Sequence, residues 1–192
     1  MPPNRTDYVI LGMLSIEPNK SGYDIRKAVE SSVGYFWGES YGQIYPALKR
    51  LAAEGLIVPS KPASGPGQRR REYALTDAGR DCLREWLAQP FQNDPPRNEF
   101  LLKLFFGREA APKVAIAHVR ELQERNKHML ATMLEIESFA RTAASQNPHQ
   151  PFWMLTLSLG ITLTRAALEW GESALAQLSS MEAAEAENQR RQ

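Results

Sequence analysis

Apolar residues recur three and four positions apart along most of this chain, the period of helices with one buried face, and the breaks in that period mark its joints. Residues 6–16 (TDYVILGMLSI) predict a first apolar helix with Thr6 or Asp7 as its cap, closed by Pro18-Asn19. Ser21 and Asp24 have the spacing of a capping box, and the helix they open buries Ile25 and Val29 before ending near Ser32. Gly34 to Glu39 reads as a turn that tucks Phe36 and Trp37 under the helices. Ser40 and Gln43 repeat the capping-box spacing, and Ile44, Leu48, Leu51 and Ala52 trace a third helix that stops at Gly55. Pro46 conflicts with a helix begun at Ser40, because it lacks the amide that would bond the Gly42 carbonyl. Either the helix starts a few residues later or its first turn is distorted.

The period then shortens. Leu56-Ile57-Val58 is a strand-like run, Lys61 to Gly67 has too much Pro and Gly for regular structure, and a returning strand ends at Leu75. Thr76-Asp77 opens a fourth helix that runs to about residue 88, before Pro90. The segment Gln92-Asn93-Asp94-Pro95-Pro96 is the strongest boundary signal in the chain. It separates a domain over 1–90 from a helical one over 97–180, with 181–192 as a flexible tail.

The second domain predicts a short helix from Glu99 to Phe106, a long one over about 112–145, a Pro-bracketed turn and a last helix over about 152–178. In the long helix Val119, Leu122, Asn126, Met129, Met133, Ile136, Ala140 and Ala143 fall on an a/d path, the pattern of a dimer seam. Asn126 takes an a-like place, where a buried amide fixes register. The same seam would serve an intramolecular helical hairpin equally well. Gly160, Ala167 and Ala174 repeat every seven residues and offer a neighbouring helix a close approach.

Composition narrows the function classes. An apolar share of 43% fits a folded globular protein and excludes general disorder. A formal net charge of +1 gives no bulk attraction to nucleic acid, so any such argument is local. No leader segment or membrane span is expected, and Cys82, the single cysteine, fits a reducing cytoplasm and excludes an internal disulfide. His118, His128, His149 and Cys82 lack ligand spacing, so neither metal nor cofactor is expected. Without a glycine loop, paired carboxylates or a Ser/His/Asp arrangement, neither is an enzyme.

Local charge does carry a reading. Helix, strand, basic hairpin, strand, helix is the second half of a winged helix-turn-helix, which sets one helix in a DNA groove and a charged loop beside it. The third helix offers Ser40, Tyr41, Gln43 and Tyr45 near its start, with Lys49 and Arg50 following for phosphate oxygens. The first turn of the second helix, through Ser21 and Tyr23, presents amides to another phosphate. The wing adds Gln68, Arg69, Arg70 and Arg71. The fold class expected is therefore mainly α: an N-terminal winged helix-turn-helix with a two-stranded β wing, plus a C-terminal α-helical dimerisation domain.

Four segments in order, LGMLSIEPNKSGYDIRKAVE, YGQIYPALKRLAAEGLI, RREYALTDAGR and NEFLLKLFFG, resemble the PadR-like transcriptional regulators over about residues 8–107. The resemblance is to the short subfamily with a helical C-terminal dimerisation domain. It implies repression by a homodimer on a double-stranded operator, relieved in several members by small aromatic or planar ligands. Glu72 and Ala74 depart from the aromatic and basic residues common in the family's wing strand. Candidate effector-lining residues are Phe100, Phe105, His118, Trp153, Arg165, Glu169 and Trp170, in a pocket expected between the helical arm and the winged helix. Two other classes stay open: a winged-helix protein-interaction module that no longer contacts DNA, and a regulator with no small-molecule effector.

Overall fold

The computed structural model describes residues 3–38, 41–60, 71–92, 97–142 and 146–190. The chain divides into two compact units, Met1–Asn93 and Asp94–Gln192.

In the first unit, α1 (Arg5–Ile16) packs against α2 (Gly22–Ser31), α3 (Ile44–Ala53) and α4 (Asp77–Leu87), and a small antiparallel sheet joins them. Its strands are β1 (Lys20–Ser21), β2 (Ile57–Pro59) and β3 (Glu72–Leu75), in the order β1-β3-β2. The third strand was not expected from sequence: Lys20 pairs with Tyr73 and Ser21 with Glu72, so two residues ahead of α2 tie it to the wing. A run that short has no legible alternation. Ile10, Leu11, Leu14, Ile25, Val29, Ile44, Leu48, Leu51 and Ile57 form the core, supplied by one face of each helix.

Local chemistry sets the boundaries. The cap of α1 is Asn4, not Thr6 or Asp7; Asn4 Oδ1 accepts from the Asp7 amide, and the Asp7 carboxylate accepts from the Asn4 amide. The expected box at Ser21 and Asp24 is present. A 3-10 turn at Tyr41–Gln43 precedes α3, so Pro46 falls in the first helical turn, where no intrahelical amide bond is lost. Gln43 makes no capping bond, and its expected partner Ser40 lies outside the described residues. α3 ends where Gly55 turns left-handed (φ 72°): its amide donates to Ala52 and that of Leu56 to Leu51, a Schellman closure. Phe36 lies on the surface (55% exposed) instead of under the helices.

Thr76 and Gly79 join the wing to α4. The Thr76 hydroxyl accepts from the Gly79 amide at 3.0 Å and lies 2.9 Å from the Gly55 and Leu56 carbonyl oxygens, to which it donates. A Cβ at Gly79 would overlap the Leu56 carbonyl. Across the unit, Tyr8 of α1 stacks on Trp86 of α4, with ring centroids 4.6 Å apart and planes at 9°.

The second unit contains α5 (Glu99–Phe105), α6 (Pro112–Thr142, 31 residues) and α7 (Gln150–Arg190, 41 residues). The expected tail from residue 181 is instead the continuation of α7, whose Ala- and Glu-rich sequence is helix-forming even without burial. α6 and α7 pack as an antiparallel hairpin. Ile116, Val119, Met133 and Ala140 are buried on α6, and Leu157, Ile161, Thr164 and Gly171 on α7. The a/d path in α6 is thus used inside the chain. Val119 and Met133 are fully enclosed, and Leu122, Asn126, Met129 and Ile136 are half-buried. Ala143 lies outside the described residues. Periodicity could not separate these outcomes, since an intramolecular hairpin and a dimer need the same apolar spacing. One close approach is at Gly171, where a Cβ would sit 2.8 Å from Gln123 Cγ.

Because the obstacle at Gly79 is backbone, Gly79→Ala is expected to lower stability by about 2 kcal/mol or more. Urea denaturation followed by helix signal checks this, and an unchanged midpoint would contradict the packing described.

Candidate nucleic-acid interface and effector cavity

α3 has two chemically distinct sides. Ile44, Ala47, Leu48 and Leu51 are buried, while Gly42, Gln43, Tyr45, Pro46 and Lys49 are exposed. Gly42, Tyr45, Pro46 and Lys49 follow the i, i+3, i+4, i+7 pattern of one helix face. Tyr45 is 60% exposed, although its ring is large and apolar. It rests on Gly22 at the start of α2, where a Cβ would stand 2.8 Å from Tyr45 Cε1. Gly22 therefore lets α2 and α3 approach closely enough to seat this ring. Tyr23 is exposed beside it.

Other predicted contacts have structural duties. Ser21 is buried at 3% exposure, and its hydroxyl donates to Asp24 Oδ2 at 2.6 Å. With that carboxylate already at the helix start, Ser21 serves as the cap of α2. Arg50 is likewise engaged: its Nη2 donates to Asp7 Oδ1 at 2.6 Å and its Nε to Oδ2 at 3.3 Å. Asp7 is 1% exposed, and hydrogen bonding to it raises Arg50 above its ordinary pKa. Arg50 is therefore a strut between α1 and α3. Ser40, Gln68, Arg69 and Arg70 lie outside the described residues, as does the Tyr41 side chain. Arg71 is exposed at the start of the returning strand. Gly42 and Pro46 on the exposed face were missed as interface residues, because small or apolar side chains carry no polar signal.

In the second unit the effector candidates separate. Phe100 meets Trp170 edge-on, with ring centroids 5.9 Å apart and planes at 88°. Both line a cavity of 780 Å³ among α5, α6 and α7, together with Leu122, Arg125, Asn126 and Ala167. His118 shares an adjoining hollow with Phe100 and Lys103. The other four lie elsewhere. Trp153 stacks on His149 at 6.1 Å, Phe105 is 82% exposed beside Phe106, and Arg165 and Glu169 are exposed on α7. Sequence reading also missed Asn126 as a cavity residue, having assigned it to the seam. Its Nδ2 is buried without a hydrogen-bond partner among the described residues.

No group of three or more His, Cys, Asp or Glu side chains is placed to hold a metal among the described residues. None of the described helices is long and apolar enough to cross a membrane. The Cys82 thiol is half-buried; burial, and then the negative charges of Glu85, Glu54 and Asp7, push its pKa up and disfavour the nucleophilic thiolate.

The family model described as the transcriptional regulator PadR-like family matches residues 10–85, and that of the virulence activator alpha C-terminal region matches residues 96–179. The negative transcriptional regulator PadR of Bacillus subtilis is 29% identical over 177 residues, covering 89% of this chain and 96% of that protein. The chain belongs to the PadR-like family of transcriptional regulators.

Solved members of the family share the fold. The crystal structure of B. subtilis PadR in complex with operator DNA aligns at TM-score 0.77 and 28% identity, covering 91% of this chain and 99% of that one. The same protein in complex with p-coumaric acid aligns at 0.70 and 28% identity, with the same coverage. The Vibrio cholerae virulence activator AphA aligns at 0.72 and 30% identity, covering 92% of this chain and 99% of that one. These relatives are regulators of transcription and not enzymes.

Removing Arg50 takes both guanidinium bonds from the buried Asp7 carboxylate, which keeps the bond from the Asn4 amide. Arg50→Ala is expected to destabilise the first unit by about 2–4 kcal/mol, read by chemical denaturation. Unchanged stability with weakened DNA binding would return Arg50 to the phosphate contacts.

Proposed function

We propose that this chain is a sequence-specific repressor that occupies an operator as a homodimer and releases it when a planar aromatic effector binds. The observation that carries the DNA-binding part is the division of α3, with an apolar face in the core and Gln43, Tyr45 and Lys49 on the outside. A major groove admits one such helix; Gln43 and Tyr45 supply groups for base edges, and Lys49 a charge for phosphate. Tyr23 on α2, Arg71 and the other wing residues extend the contact along the backbone. The near-zero net charge makes this attraction local. The operator complex of the Bacillus relative supports the reading. The reading implies a protein that works in the cytoplasm.

The homodimer draws on a different surface from the α6 seam. Phe152, Leu155, Leu159 and Leu163 are each more than 60% exposed, and they follow one another at three- and four-residue steps along α7. Such a stripe is larger than scattered surface apolar residues and suits a second copy of the same hairpin. Two copies would set two recognition helices on successive half-sites. Release requires the effector to favour the dimer arrangement that fits DNA less well.

Binding to duplexes from the chain's own upstream region should weaken linearly, in log–log form, as salt rises. Lys49→Ala should shallow that slope by about one and weaken all sequences alike. Gln43→Ala should lose about 1–3 kcal/mol of discrimination at a single base pair. Absence of duplex binding at low salt would favour the protein-interaction alternative. Unchanged preference in Gln43→Ala would move the reading face elsewhere.

A further inference from the structure

The middle of the outer face of α3 carries little hydrogen-bonding chemistry. Gly42, Pro46, Lys49 and Ala53, at steps of four, three and four residues, run down that middle, and all four are exposed. Lys49 alone of the four has a polar side chain. Towards the start of the helix, where a recognition helix meets base edges, the line holds a glycine and a proline ring. The polar groups stand to the sides. Tyr45 leans towards α2, where a Cβ at Gly22 would stand 2.8 Å from its Cε1, and Gln43 lies on the opposite flank of Pro46.

The protein's own packing does not demand glycine at position 42. A Cβ there would meet nothing within 4 Å among the described residues, and its φ is not left-handed. A backbone bared at the start of an exposed helix admits close approach from outside. Pro46 stands in the first turn of α3, where many residues would serve the helix equally well. Its exposed ring therefore adds apolar surface at the centre of the face.

Of the groups that base pairs show in the major groove, only the C5 methyl of thymine is apolar. A proline ring pressed against a base amino or carbonyl group strips its water and offers no bond in return. Against a thymine methyl it buries apolar surface on both sides.

We propose that Pro46 reads a thymine methyl in each half-site, and that Gly42 gives the helix the clearance to reach it. The inference rests on the DNA-binding reading above and names part of the sequence that the chain selects. Gln43 and Tyr45 bracket that thymine with groups for neighbouring base pairs. The contact is apolar, so its share of the specificity does not follow the salt dependence of the phosphate contacts.

Deoxyuridine tests this directly, because it removes the methyl and keeps every hydrogen-bonding group of thymine. Each thymine of the footprinted half-sites is replaced singly, and duplex affinity of the full-length protein is measured at two salt concentrations. One position should weaken wild-type binding about three- to tenfold, by the same factor at both salts. Pro46→Ser should lose that penalty and bind the thymine and deoxyuridine duplexes equally, the signature of a coupled pair. Gly42→Val should weaken both duplexes alike by about tenfold or more, with a melting temperature within about 2 °C of wild type. Wild-type affinity unchanged by deoxyuridine at every thymine would overturn the proposal while leaving DNA binding intact. A penalty that persists in full in Pro46→Ser would hand the methyl to another side chain, which also overturns it. Unaltered operator affinity in Gly42→Val would show that no close approach occurs at that end of the face. A wild type that binds no duplex at low salt would contradict the DNA-binding reading and this inference with it.

Discussion

Burying a carboxylate is costly unless donors replace the water it loses, and in this protein that requirement ties together the elements that present α3. Asp7 is almost wholly enclosed, and it is satisfied from two directions. The Asn4 amide closes the start of α1, and the Arg50 guanidinium reaches across from α3. Apolar packing alone would let α3 rotate or slide by small steps at modest cost, because dispersion contacts are not directional. A two-bond guanidinium–carboxylate pair is directional. It fixes which residues of α3 turn inward, and so which face Tyr45, Pro46 and Lys49 share.

Much of this was legible in the sequence because the elements are long or sharply punctuated. Ser21 and Asp24, Gly55, and Thr76 followed by Asp77 each announce an element end through chemistry that acts within a few residues. Interactions between distant residues were not legible. Asp7 and Arg50 are far apart in sequence, so Arg50 read as a free cation on a DNA-facing helix. The pairing of Lys20-Ser21 with β3 was hidden in the same way, since two residues carry no period.

The second unit shows where a periodic signal is ambiguous. The a/d path of α6 was sound as a statement about burial, and Val119, Met133 and Ala140 are buried. The identity of the partner was not in the pattern, and α7 of the same chain takes that place. What remains outward on α7 is a second apolar row, obscured in sequence because that helix is apolar nearly all round. Asn126 follows the same logic. Its position marked it as an inward-facing amide, but only the packed hairpin reveals that its Nδ2 is buried without an acceptor among the described residues.

The central claim is that α3 presents its outer face to a major groove, twice, in a symmetric pair. Hydroxyl-radical footprinting on the upstream region of the chain's own gene addresses both parts at once. Two protected patches on one face of the duplex, centred about 10–10.5 base pairs (~34 Å) or a multiple of it apart, are expected. A single unpaired patch, or uniform protection with no preferred position, would contradict the account.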